Sequence, residues 1–301
     1  MIATADNLRS CHMTWINPRR RFLMTYKTIL SVIGVNGFED DLQAAADICA
    51  ASEAHLTALM VKLAAPPPLG DYAATMSVAW LDERERDLSD LRKGVQGAKA
   101  VLSRTGVSFE VDSIYSEFAW ADNEIGDRAR YADLTLIGTG LAADPELRAR
   151  TVNGALFNSA RPVLLVPKGR RATMAPKTVL LAWNSHIEAA RAVGEALELM
   201  GAADLVHVTM VDPEDSPVKS GGEPGADIAA YLARHGVKVT VDRLPSSGHR
   251  VEDVINRHAL AIGADLIVMG AYGHSRMRER IFGGVTKSMI DTAAAPVFMV
   301  H

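Results

Sequence analysis

Of the 301 residues, only Cys11 and Cys49 are cysteines. That excludes a disulfide framework and fits a reducing compartment, so a cytoplasmic location is expected. No apolar run reaches the ~20 residues that a membrane-spanning helix needs, so no membrane partner is expected. The net charge is −4, too mild to give an electrostatic footprint for nucleic acid. A Gly-x-x-x-x-Gly-Lys-Ser/Thr run is absent, which excludes a P-loop. The nine histidines show no paired ligand spacing, and no metal site is expected. Neither a Ser-His-Asp nor a Cys-His set is readable at the strand ends, so no catalytic residue is assigned. Residues 1–23 lack the apolar centre and small-residue cleavage site of a signal peptide. They read as a disordered extension, with Met24 the more natural start, directly before a strand.

What is present is a packed, duplicated α/β pattern. Hydrophobic residues make up 48% of a chain long enough for two domains. Apolar strands are read at 28–33, 55–61, 107–114, 134–137 and 161–166, with helices at 40–52, around 88–102, at 119–130 and at 146–159. The pattern then restarts. Lys177-Thr178-Val179-Leu180 echoes Lys27-Thr28-Ile29-Leu30, and Gly236-Val237 with Val241-Asp242 echoes Gly106-Val107 with Val111-Asp112. Ala264-Asp265-Leu266 echoes Ala132-Asp133-Leu134, and Pro296-Val297 echoes Pro162-Val163. Recurring anchors in one order mean duplication of a unit of about 140 residues. The expected organisation is an extension at 1–23, a first domain at 24–168, a basic linker at 169–176 and a second domain at 177–301. Strands alternating with helices predict a doubly wound parallel sheet in each half, with the ligand crevice at the carboxyl ends of the strands.

One stretch carries chemistry. After the buried-strand pattern 264–269 come Gly270, two residues, Gly273, nine residues, then Gly283-Gly284 at the start of a helical pattern over 285–292. Glycines let backbone approach a ligand, and free N–H groups at a helix start attract anions. This spacing resembles the nucleotide loop of the universal stress protein family, and the resemblance extends from Met24 to His301. It implies a Rossmann-like strand order of 3-2-1-4-5 in each half and the tandem two-domain type. It also implies a stress-response regulatory protein that binds ATP or a related adenine nucleotide, with Mg2+ accompanying it, in the second half.

By that resemblance, Met269, Gly270, Gly273, Gly283, Gly284, Val285 and Thr286 contact phosphate and ribose. Asn184 stands where the family places an adenine-reading Asp, and Val208 where it places an apolar adenine contact. Gly284 replaces the usual Ser or Thr, and Trp183 precedes Asn184 where a smaller residue is usual. In the first half, Leu141 follows Gly138-Thr139-Gly140 and Ala149-Arg150 align with Gly283-Gly284, so the loop there is degenerate. Two other readings stand beside this one: an interaction module with a vestigial site, and a slow ATP hydrolase using His274 or Glu279. Family members pair their last strands between subunits. Here the two halves are expected to do so within one chain as a pseudo-twofold pair, with a further homodimer left open and no protein partner named.

Overall fold

The computed structural model describes residues 26–66, 73–213, 223–273 and 284–301. The extension expected at 1–23, Gly283, His274, Glu279 and the arginines between them lie outside the described residues.

The first half runs β1 (Thr28–Ile33), α1 (Glu39–Ser52), β2 (His55–Ala64), α2 (Ala73–Leu102), β3 (Phe109–Glu117), α3 (Ala121–Ala129) and β4 (Leu134–Ile137). A single turn α4 (Thr139–Ala142), α5 (Pro145–Asn153), a wide turn at Gly154–Asn158 and β5 (Val163–Leu165) complete it. The second half runs β6 (Thr178–Ala182), α6 (Ile187–Glu195), α7 (Leu197–Ala202), β7 (Leu205–Val211), α8 (Ala226–Arg234) and β8 (Val239–Leu244). It ends with α9 (Val251–Ala261), β9 (Leu266–Gly270), α10 (Val285–Thr292) and β10 (Val297–Val300).

The strand order is β3-β2-β1-β4-β5-β10-β9-β6-β7-β8. Each half therefore reads 3-2-1-4-5, as expected. The two five-stranded sheets are not separate, however: β5 and β10 pair antiparallel through Leu164–Phe298 and make one ten-stranded sheet. All other neighbours are parallel. Left alone, each last strand would be a flat apolar edge open to pairing with other chains; the join removes both edges at once.

Period-2 alternation decides which residues enter which layer. Ile29 and Ile33 of β1 face α1 and α2, whereas Leu30 and Val32 face the layer of α3 to α5. Both sets are fully buried, because a sheet covered on both faces leaves no strand side for water. Tyr26 belongs to the join as well. Its hydroxyl donates to the Glu195 carbonyl (2.6 Å) and its ring meets Phe298 edge-on at 6.3 Å. Burial, reinforced by Glu195 and Glu198, pushes the phenol far above its usual range.

Several boundaries differ from those read in the sequence. Ile187, Ala190, Val193, Leu197 and Met200 are spaced as one face of a single helix, but the helix breaks at Ala196, which leaves helical geometry (φ −92°, ψ 6°) between α6 and α7. β3 starts later and runs longer than 107–114, because its parallel register with β2 continues to Ala64–Glu117. The helix expected at 146–159 widens after Asn153, where Gly154 lies so close to α3 that a Cβ would meet the Asp122 carbonyl at 2.5 Å. Within the expected linker, Met174 is buried in the core. No helix among the described residues is long and apolar enough to cross a membrane.

Candidate functional site

The crevice of a doubly wound sheet lies where strands one and four end side by side. In the second half these are β6 and β9, paired through Ala182–Met269. Met269 is buried, and Gly270 closes the strand. A Cβ on Gly270 would lie 2.5 Å from the Ala189 nitrogen and 2.6 Å from the Glu188 carbonyl carbon, so α6 can pack here only against glycine. The chain then bends through Tyr272, which takes a left-handed φ of 58°. Its N–H donates to Thr286 Oγ1 at 3.0 Å. That bond ties Gly270–Gly273 to the first turn of α10, and Thr286 is buried to make it.

Gly284 caps α10 in an extended conformation and has no side chain of its own to accept from the turn above it. The first N–H groups of an α-helix have no partner within the helix. Such a start, whose cap residue offers no side-chain acceptor, is the kind of position that phosphate groups take at helix N-termini. Met269, Gly270, Gly273, Gly284, Val285 and Thr286 are thus brought to one corner.

The two expected base contacts fare differently. Asn184 is exposed beyond the end of β6, where its Oδ1 accepts from the His186 N–H (3.1 Å) and shapes the entry to α6. Val208 is fully buried, and Trp183 packs on the same apolar cluster. The indole therefore belongs to the sheet's core face.

A residue that the sequence reading passed over faces the glycines. Glu188, in the first turn of α6, has Oε2 buried and without a hydrogen-bond partner among the described residues. A Cβ on Gly273 would lie 3.0 Å from it.

The same corner of the first half is built otherwise. The buried Asp41 of α1 reaches the turn after β4, where its carboxylate accepts from the Gly140 N–H (2.8 Å) and the Leu141 N–H (2.9 Å). Gly138 can carry no side chain, because its Cβ would fall 2.3 Å from the Asp41 carboxyl carbon. Asp144 then caps α5 and accepts from the Glu146 and Leu147 N–H groups, both at 3.1 Å. Ala149 and Arg150, aligned by sequence with Gly283 and Gly284, lie inside α5 and not at its start. The structural counterpart of the Gly284 cap is Asp144. Its sequence signal was Asp144-Pro145, an N-cap residue followed by proline at the first helical position.

The halves touch beside the glycine corner. Phe157 packs on Tyr272 (5.0 Å between ring centroids) and on His301 (4.6 Å), and Arg148 pairs with Asp291 of α10. Farther along the second half, His207 of β7 and His258 of α9 both meet one carboxylate oxygen of Asp242 on β8, each at 2.7 Å. Burial alone would raise the Asp242 pKa, but the bonds to His207 and His258 outweigh it and hold the carboxyl below its usual range. Sequence spacing could not reveal this trio, since its members come from three separate elements.

Residues 176–301 match the model of the universal stress protein family. No curated protein matches the chain in sequence. Among solved structures, a universal stress protein from Archaeoglobus fulgidus DSM 4304 aligns with 91% of this chain and 95% of its own, at 16% identity and a TM-score of 0.65. A putative universal stress protein from Pseudomonas aeruginosa UCBPP-PA14 covers 92% of this chain and 94% of its own, at 16% identity and a TM-score of 0.56. At such identities the likeness is one of fold, and it spans both halves. Residues 176–301 thus match the universal stress protein family, and the residues in front of them form a second unit of the same fold.

Proposed function

We propose that this is a cytoplasmic stress-response regulatory protein that binds one adenine nucleotide, ATP or a relative, at the β9–α10 corner. In this reading the chain is organised as units at 24–168 and 177–301 joined by 169–176, and only the second unit takes ligand. The observation that carries the reading is the helix start at Gly284, a cap residue with no side chain, held against a glycine turn by the Tyr272–Thr286 bond. Backbone N–H groups at such a start bind phosphate without any help from side chains. In this reading the phosphates rest on Gly273 and Gly284 to Thr286, with Gly283 a further expected contact, and the base lies toward Asn184. Asn184 offers both a donor and an acceptor to adenine.

Glu188 fits this arrangement only with a cation. A buried carboxylate oxygen lacking a partner is costly, and beside phosphates it repels. Mg2+ brought in with the nucleotide would satisfy Glu188 and offset that repulsion. Nucleotide affinity should therefore depend on Mg2+, and Glu188→Gln should weaken that dependence.

Native mass spectrometry of the protein purified without added nucleotide tests the reading. A mass increment of one adenine nucleotide per chain is expected. If the protein is bare and stays bare in millimolar ATP with Mg2+, the corner is vestigial and the chain is an interaction module. Steady phosphate release from ATP would move it to the hydrolases.

A further inference from the structure

We propose that His207, Asp242 and His258 form a binding site for a divalent transition metal of the zinc type, on the α9 face of the sheet's outer edge. The site is independent of the nucleotide reading. Its three donor atoms are His207 Nδ1, His258 Nε2 and a carboxylate oxygen of Asp242, all within 4.8 Å of one another. Two imidazole nitrogens and one carboxylate oxygen make a donor set suited to Zn2+ and its neighbours, and unsuited to Mg2+ or Ca2+. The side chains are 15%, 21% and 17% exposed, so a hydrated ion can reach them and water can complete the shell.

The geometry needs little adjustment. Both nitrogens lie 2.7 Å from the same oxygen. Around a tetrahedral ion with bonds of about 2.0–2.1 Å, neighbouring ligand atoms stand about 3.3 Å apart. Moving each nitrogen some tenths of an ångström off the oxygen makes room for an ion that replaces the two imidazole–carboxylate bonds. β7 and β8 are paired through Thr209–Asp242, which fixes two ligands on the sheet, while His258 sits in the last turn of α9. The ion therefore fastens a helix to the edge strand.

The first half shows that the fold itself does not require this trio. Register places Thr57 where the second half has His207, because Leu30 pairs with Thr57 as Leu180 pairs with His207. Likewise Leu59 pairs with Asp112 as Thr209 pairs with Asp242. The helix residue that meets Asp112 is Arg128, at 2.7 Å. Thr57 turns instead to Glu110, at 2.9 Å. One ordinary ion pair thus fastens α3 to its edge strand. In the second half, both positions around the retained aspartate are histidines, and both aim a ring nitrogen at one point. A single imidazole would have sufficed to hydrogen-bond that oxygen.

The test uses the full chain stripped with a chelator and then titrated with zinc chloride by calorimetry, alongside two variants that copy the first half, His258→Arg and His207→Thr. His258→Arg restores the Arg–Asp pair and should fold like wild type, which circular dichroism checks. Wild type should bind one more zinc per chain than either variant, and its melting temperature should rise with zinc concentration while theirs does not. Cobalt(II) should give the visible bands of a nitrogen- and oxygen-ligated ion in wild type only. Equal zinc stoichiometry in all three proteins, or no zinc held by wild type at 100 µM (roughly the weak end for a protein site of three ligands), overturns the assignment.

Discussion

The two corners at the ends of β4 and β9 are the same piece of architecture furnished with different residues. In each, a glycine turn follows the fourth strand and a helix start follows the turn. The first half supplies its own anions: Asp41 takes the N–H groups of Gly140 and Leu141, and Asp144 takes those at the start of α5. The second half has Gly284 at the cap, and the carboxylate that corresponds to Asp41 in placement, Glu188, has an oxygen without a partner among the described residues. A fold with built-in anion positions can spend them on its own side chains, which contributes stability. It can also leave them for a ligand, which costs stability until the ligand arrives.

The largest effect should come from emptying the filled corner. Asp41→Ala removes a buried carboxylate from two backbone donors, and hydrogen bonds to charged groups contribute about 1.5–3 kcal/mol each. A loss of about 3 kcal/mol or more is expected in urea unfolding, and sulfate or phosphate should restore part of it by occupying the freed N–H groups. A loss below 1 kcal/mol would break the comparison.

Next comes filling the open corner. Gly284→Asp gives α10 the cap that α5 already has, at a φ of −64° that any residue accepts. Folding stability should hold or rise by a few tenths of a kcal/mol. ATP affinity should fall about a hundredfold, for the loss of roughly 2.8 kcal/mol of phosphate contacts. Unchanged affinity would mean that the phosphates lie elsewhere.

Alkaline pH separates the halves through Cys49, since the second half has no cysteine. Burial pushes the Cys49 thiol from 9.0 up to about 12. A pKa raised by folding stabilises fully below the unfolded value, and that stabilisation is lost as pH climbs through the folded one. Between pH 9 and 12 wild type should therefore lose at most about 1.4 kcal/mol per pH unit from this group. Cys49→Ala should show a shallower decline over that range. An identical slope in both proteins contradicts the burial argument.

The smallest effect is the cap itself. Asp144→Ala should cost about 1 kcal/mol, within the usual range for N-caps. It should leave ATP binding untouched, because only the first half changes.

Strand identity was legible because it rests on apolar runs and repetition; strand order was implied by the family resemblance. The apolar run of β1 and the recurring Asp133 and Asp265, whose carboxylates accept from the N–H groups of Lys27–Thr28 and Lys177–Thr178, fix both halves in one pattern. The glycine corner was legible for a similar reason, since a glycine that cannot hold a Cβ leaves a mark at a fixed position. Side-chain anions were not. Asp41 reads in sequence as a residue suited to the start of α1, yet its carboxylate crosses to a turn 100 residues away. Asp144 was visible as a cap, but an alignment anchored on Pro162 drew attention to Ala149 instead. The His207–Asp242–His258 trio depends on strand register and on one helix face, which no spacing along the chain encodes. The burial of Val208 has the same cause: it depends on what Trp183 and the neighbouring layer cover.

The central claim is that one corner is open and the other is filled. Calorimetric titration of the wild-type chain with ATP and Mg2+, repeated on Gly284→Asp, tests it most directly. The account predicts one site per chain in wild type and a loss of that site in the variant, with no change in melting temperature beyond a degree or so. Two sites per chain, or a single site that survives Gly284→Asp intact, would contradict it.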